Sequence, residues 1–151
     1  MNGNTLLTVA AGLSFSAALA HVAIVLGGPD WYRFFGAGEQ MASLAEAGSL
    51  RPAFITLLIA TVLALWGLYG LSGAGVISPL PLLRPALVVI TAVYLVRGIG
   101  GFILPFVSSH PAITQNSVTF WLVSSLICSL FGVCYLLGVL ANWASLALAK
   151  G

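Results

Sequence analysis

"PALVVITAVYLVRGIGGFIL", Pro85 to Leu104, is twenty residues long and carries one charge, the guanidinium of Arg97. About 20 apolar residues in a helix cross the hydrocarbon core of a bilayer. No other Asp, Glu, Lys or Arg occurs between Pro85 and Ala149. The stretch is a membrane span, and it fixes how the rest of the chain reads.

Three further stretches have the same length and character. They are residues 5–26, ending at "GGPD"; residues 52–71, opening on Pro52 and ending before "SGAG"; and residues 118–140, followed by the tail "ANWASLALAK". A proline suits the first turn of a helix, where its missing N–H would be unpaired anyway. The third span, 85–104, opens on Pro85 and is expected to stop before Pro105. The tail reads as fraying or interfacial.

Composition agrees. Of 151 residues, 60% are hydrophobic and 5% charged, against about 25% charged in soluble domains. Eight ionised side chains cannot cover a water-soluble surface of this size. The expected fold is all-α: a single polytopic membrane domain, residues 1–151, built as a bundle of four transmembrane helices. Five scattered basic residues offer no cluster for phosphates, so no nucleic acid partner is expected. Cys128 and Cys134, six residues apart on one helix, cannot bridge each other, and no zinc-ligand spacing occurs. No metal site is expected. The run "MNGNT" lacks the basic residues of a signal peptide, and the first span reads as a retained helix.

All three carboxylates, Asp30, Glu39 and Glu46, fall in the loop 27–51. Its sequence "DWYRFFGAGEQMASLAEAG" joins aromatic residues suited to the headgroup zone to a helical-looking stretch from Gly38 to Ala47. A short interfacial helix, or a lid over the bundle, is expected there. Arg84, Lys150 and the amino terminus share the other side, so the positive-inside rule puts both termini in the cytoplasm.

Chemistry is then expected around Arg97. Insertion scales put an arginine at a helix centre at about 2.5–3.5 kcal/mol, and such residues face the bundle or mark function. Thr91, Tyr94, Arg97, Gly98 and Gly101 form one stripe at three- and four-residue spacing. His21 lies at a similar depth in the first span. Trp121, Ser124, Ser125, Cys128, Gly132 and Tyr135 cover one face of the fourth. Trp66 and Tyr69 read as interface anchors. Because only the first loop owns carboxylates, Glu39 or Glu46 is expected to fold inward as the counter-charge of Arg97. The ligand-binding set is therefore Arg97, His21, Glu39, Glu46, Tyr94, Trp121, Ser124, Ser125 and Cys128. If the site catalyses, His21, Glu39 and Glu46 are the proton carriers.

A planar guanidinium suits an anionic or amphiphilic ligand. The leading expectation is a protein that binds a small lipid or quinone-like molecule in the loop-side half of the bundle. Alternatives are an enzyme or redox subunit using the same pocket, or a structural or assembly subunit or oligomeric transporter. The expected partners are membrane lipids, with a second copy or a membrane complex in the last case. Haem is poorly served, since His21 lies in a span while His110 lies in a connection before Pro111.

The strings "GPDWYRFFG" (Gly28 to Gly36) leaving the first span and "LVRGIGG" (Leu95 to Gly101) in the third give the chain a layout that resembles the DoxX-like small four-helix membrane proteins. The resemblance covers most of the chain as architecture. It implies a bacterial inner-membrane protein with redox or quinone partners, and it transfers no catalytic residue.

Overall fold

A computed structural model describes residues 2–148, and among these every element is a helix. Four are long and apolar enough to cross a membrane: α1 (Gly3–Gly27), α4 (Arg51–Gly73), α5 (Leu83–Val107) and α7 (Val118–Ala141). Their 23 to 25 residues make rods of about 35–38 Å, somewhat longer than a hydrocarbon core of about 30 Å. The chain is an integral membrane protein. Four short helices complete it: α2 (Pro29–Phe34), α3 (Glu39–Glu46), α6 (Pro111–Thr114) and α8 (Trp143–Leu148).

Local chemistry sets the ends. The Asn2 side chain caps α1 by accepting from Thr5 N at 2.8 Å, and Ser117 caps α7 by accepting from Phe120 N at 3.1 Å. Each supplies an acceptor for a first-turn amide that has no carbonyl below it. The third span differs from expectation at its end, since α5 runs through Pro105 to Val107. A proline removes one backbone bond, here to the Gly101 carbonyl, whereas stopping the helix inside the bilayer would strand several carbonyls away from water.

The spans form a four-sided bundle. α1 packs against α4 and α7, and α5 packs against α7 and α4, so α1 and α5 face each other across the diagonal. The aliphatic core lies in the half nearest the termini, where Leu7, Leu83, Leu87, Ile90, Val139 and Leu146 are buried. Trp66 belongs to this region. It was expected at the interface, but it packs edge-on against Tyr94 with ring centroids 5.0 Å apart. The other faces of α5 and α7 expose Val89, Val96, Ile99, Val123, Leu126 and Leu130, an outer coat suited to acyl chains.

The first loop closes over the opposite end, called here the lid end. Tyr32 of α2 and Ala42 of α3 bury themselves against Ile24 at the end of α1. Trp31, Phe34 and Phe35 stay exposed, as aromatics at headgroup level should. At the terminal end, the Arg84 guanidinium lies 3.6 Å from the ring centroid of Trp143 and helps hold α8 down.

Candidate functional site

Arg97 faces the protein. Its Nη2 donates to Ser124 Oγ at 3.1 Å and its Nη1 to Ser125 Oγ at 3.5 Å, while its guanidinium carbon lies 4.7 Å from the Trp121 ring centroid. The backbone register explains the reach. On antiparallel helices, Gly98 lies against Ser129 and Gly101 against Ser125. Arg97 therefore leaves α5 near the level of Ser129, and its guanidinium ends about one turn, some 6 Å, closer to the lid end. It climbs along the α5–α7 seam, with the protein rather than lipid on one side.

The seam is tight. A Cβ on Gly98 or Gly101 would fall onto the hydroxyls of Ser129 or Ser125. Small residues let helices approach where lipid provides no hydrophobic reason to pack. Ser125 is fully buried, whereas Arg97, Trp121, Ser124 and Cys128 are half-buried. The guanidinium thus sits at the edge of a closed seam. It does not float in a wide chamber.

The expected counter-charge goes elsewhere. Arg33, on the lid, takes Glu39 with Nε to Oε2 at 2.9 Å and Nη2 to Oε1 at 2.7 Å, takes Glu46 at 2.8 Å, and approaches Asp30 at 3.4 Å. These ionic hydrogen bonds hold the Glu39 and Glu46 carboxyls below the usual range and raise Arg33 further above its own. Asp30 shares α2 with Arg33, and Glu39 and Glu46 lie on α3 just after it, within easy reach of Arg33, while Arg97 lies deeper behind Trp121. Among the described residues Arg97 has no carboxylate within ion-pair distance.

Two other expected members separate from Arg97. Tyr94 turns inward and bonds Ser14 Oγ at 3.0 Å. Ser14 also meets Tyr135 Oη at 3.1 Å, and Tyr135 donates to the Trp66 carbonyl at 2.9 Å. One proton per hydroxyl fixes the order of this chain. Tyr135 spends its proton on Trp66, so Ser14 donates to Tyr135 and Tyr94 donates to Ser14. The knot joins all four spans and ends on a carbonyl, which has no proton to pass on. It is a lock between helices. The sequence reading included Tyr135 on the broad α7 face and missed Ser14; the heptad step from Leu7 to Ser14 to His21 along α1 is the signal that could have found it.

His21 lies on that same stripe of α1, half-buried, with Nδ1 2.7 Å from the Ala17 carbonyl. Since a carbonyl only accepts, Nδ1 carries a proton and donates it to Ala17. Cys128 packs beside the core cluster as a free thiol. No group of three or more His, Cys, Asp or Glu side chains able to hold a metal ion occurs among the described residues.

A separate pocket of about 330 Å³ opens at the lid end, between the first loop and the start of α7. Arg33, Glu39, Gln115, Asn116, Ser117 and Phe120 line it. Of the residues singled out from sequence, it contains Glu39. Trp121 ties the two regions together, because its Nε1 donates to the Ile113 carbonyl at 2.9 Å while its ring covers Arg97.

No family model, curated protein or solved structure matches the chain.

Proposed function

We propose that this membrane protein binds a small amphiphile, such as a lipid or a quinone-like molecule, whose anionic or carbonyl oxygen is held by Arg97 in the lid-side half of the bundle. The observation that carries the reading is an arginine within a span whose side-chain hydrogen-bond partners, among the described residues, are two neutral hydroxyls. A guanidinium has five N–H donors, and the serines take two. A charge in this setting is costly unless paired, and an oxygen-bearing ligand arriving along the half-buried edge would supply what the protein withholds. Trp121 lies against the guanidinium, and the three N–H groups that the serines leave over suit a ligand oxygen.

The same proposal includes an inner-membrane setting with both termini cytoplasmic, which the distribution of Arg84 and Lys150 favours, and kinship with DoxX-like proteins on layout alone.

Native mass spectrometry of protein extracted gently from its membrane tests the reading. The wild-type chain should retain a small molecule or lipid that Arg97→Gln loses and that the exposed Arg51→Gln variant keeps. Arg97→Lys, which keeps the charge without the fork, should fold and bind more weakly. Equal retention by wild type and Arg97→Gln would remove the proposal.

A further inference from the structure

We propose that the lid-end pocket is the second half of the Arg97 site, and that the ligand is an anionic phospholipid with an uncharged, hydroxyl-rich head of the glycerol type. The inference rests on the Arg97 reading and names its ligand. Its starting point is a stripe on α7. Ser117 and Phe120 line the pocket, Trp121 covers Arg97, and Ser124 accepts from it. Residues three and four apart share a helix face, so Phe120 stands directly above Ser124, about 6 Å nearer the lid end, and Ser117 about 10 Å above it. The first of these intervals is about the reach of a glycerol head beyond its phosphate.

The pocket's charges are already spent. Arg33 and Glu39 face each other through two hydrogen bonds, and Glu46 and Asp30 close on the same guanidinium. Three carboxylates around one arginine leave the lid net negative, which repels a second anion in the head.

The free hydrogen-bonding groups are neutral. Ser117 Oγ accepts from Phe120 N and keeps its own proton to donate. Gln115 Nε2 donates to the Ala112 carbonyl at 3.3 Å and leaves Oε1 as an acceptor. The Asn116 amide has no side-chain partner among the described residues and offers both a donor and an acceptor. Alternating neutral donors and acceptors match a diol, each of whose hydroxyls gives one bond and accepts another. An ammonium head could use the acceptors and would waste the donors. The Phe120 ring forms the floor, pressed against Gly36, where a Cβ would fall onto the ring. The volume, at the lower end of ligand sites, suits a short head.

Depth agrees as well. Ser117 and Phe120 lie at the end of α7, in the zone of lipid headgroups, and the guanidinium lies about 9 Å below that end. Arginine side chains within a bilayer draw phosphates and water inward by local thinning, and the climb of Arg97 along the seam shortens the distance to be covered.

The experiment uses the whole chain in phosphatidylcholine nanodiscs doped in turn with phosphatidylglycerol, phosphatidic acid or phosphatidylethanolamine, with retained lipid counted by native mass spectrometry. Wild type should retain phosphatidylglycerol over phosphatidic acid by about fivefold, the worth of one or two neutral hydrogen bonds. Asn116→Leu and Gln115→Leu should level those two lipids and keep both above phosphatidylcholine. Arg97→Gln should lose both. Equal retention of phosphatidylglycerol and phosphatidic acid by wild type, a preference for phosphatidylethanolamine, or an unaltered preference in Asn116→Leu overturns the headgroup assignment. Displacement of the lipid by soluble glycerol phosphate overturns the lipid and assigns the site to a free ester. If Arg97→Gln retains as much anionic lipid as wild type, the Arg97 reading itself fails.

Discussion

Arg33 and Glu39 lie side by side with two parallel hydrogen bonds, Nε to Oε2 at 2.9 Å and Nη2 to Oε1 at 2.7 Å. This fork-to-fork pairing on the lid is why the membrane arginine has no acid. The loop contains the chain's only carboxylates, and it also contains an arginine that reaches all three of them. Paired charges at the surface can keep water around their remaining edges; a carboxylate drawn down to Arg97 would lose it.

Arg33→Gln should loosen the lid and leave the four spans intact. Limited proteolysis in nanodiscs should show faster cleavage in the turn between α2 and α3, at residues 35–38, with unchanged helical content. Arg51→Gln serves as the comparison and should cleave like wild type. If Arg33→Gln is as resistant as wild type, then burial of Tyr32 and Ala42 against Ile24 holds the lid without the ion pairs.

Lid packing should weaken in acid. Glu39 and Glu46 are held below their ordinary value of 4.5 by hydrogen bonds from Arg33, so the closed lid binds protons less readily than the open one. Its stabilisation is complete above about pH 4.5 and is lost as pH falls through the lowered values. Hydrogen exchange at the α3 amides should be independent of pH, after correction for intrinsic rates, from neutrality to that point and should quicken below it. Loss of protection beginning near pH 6 would point to another titrating group.

Ser14→Ala should destabilise the bundle by about 1–2 kcal/mol, because it leaves the Tyr94 hydroxyl without an acceptor in the interior and removes the donor to Tyr135, which keeps its bond to the Trp66 carbonyl. Both side chains are at most 5% exposed. Tyr94→Phe and Tyr135→Phe should each cost less, and the pair should be non-additive, since both act through one serine. Unfolding by steric trapping or denaturing detergent measures this. Strict additivity would mean that the chain of hydroxyls is not a unit.

Gly101→Ala should be destabilising by about 1–3 kcal/mol despite the better helix propensity of alanine. Its methyl would land on Ser125 Oγ and within 2.5 Å of Arg97 Nη1. Gly12→Ala, where the methyl meets open space, should be neutral or mildly stabilising. Thermal unfolding in detergent compares the two. Equal effects would show that α5 and α7 can part without penalty.

The spans could be read from sequence because bilayer thickness imposes a length, and hydrocarbon forbids unpaired charge, so both constraints act residue by residue along the chain. The lid helix α3 was visible through the same local logic in "EQMASLAEAG". Pro105 misled the reading of α5, since the local rule that a proline ends a helix yields to the larger cost of exposing backbone in lipid. Arg97, Trp121, Ser124 and Ser125 come together as their helix faces suggest, and Tyr94 does not, because a tyrosine between two helices can turn to either neighbour.

What the amino-acid sequence determined by itself is how many times the chain crosses the membrane, where it turns, and which of its side chains are too costly to leave unpaired there. Only the tertiary structure decided who pairs with whom. Glu39 and Glu46 chose Arg33 over Arg97, and Ser14 linked two tyrosines that lie 80 and 121 residues away. Partner choice is a competition between distances and desolvation costs across separate helices, and no term in that competition is local to a stretch of chain.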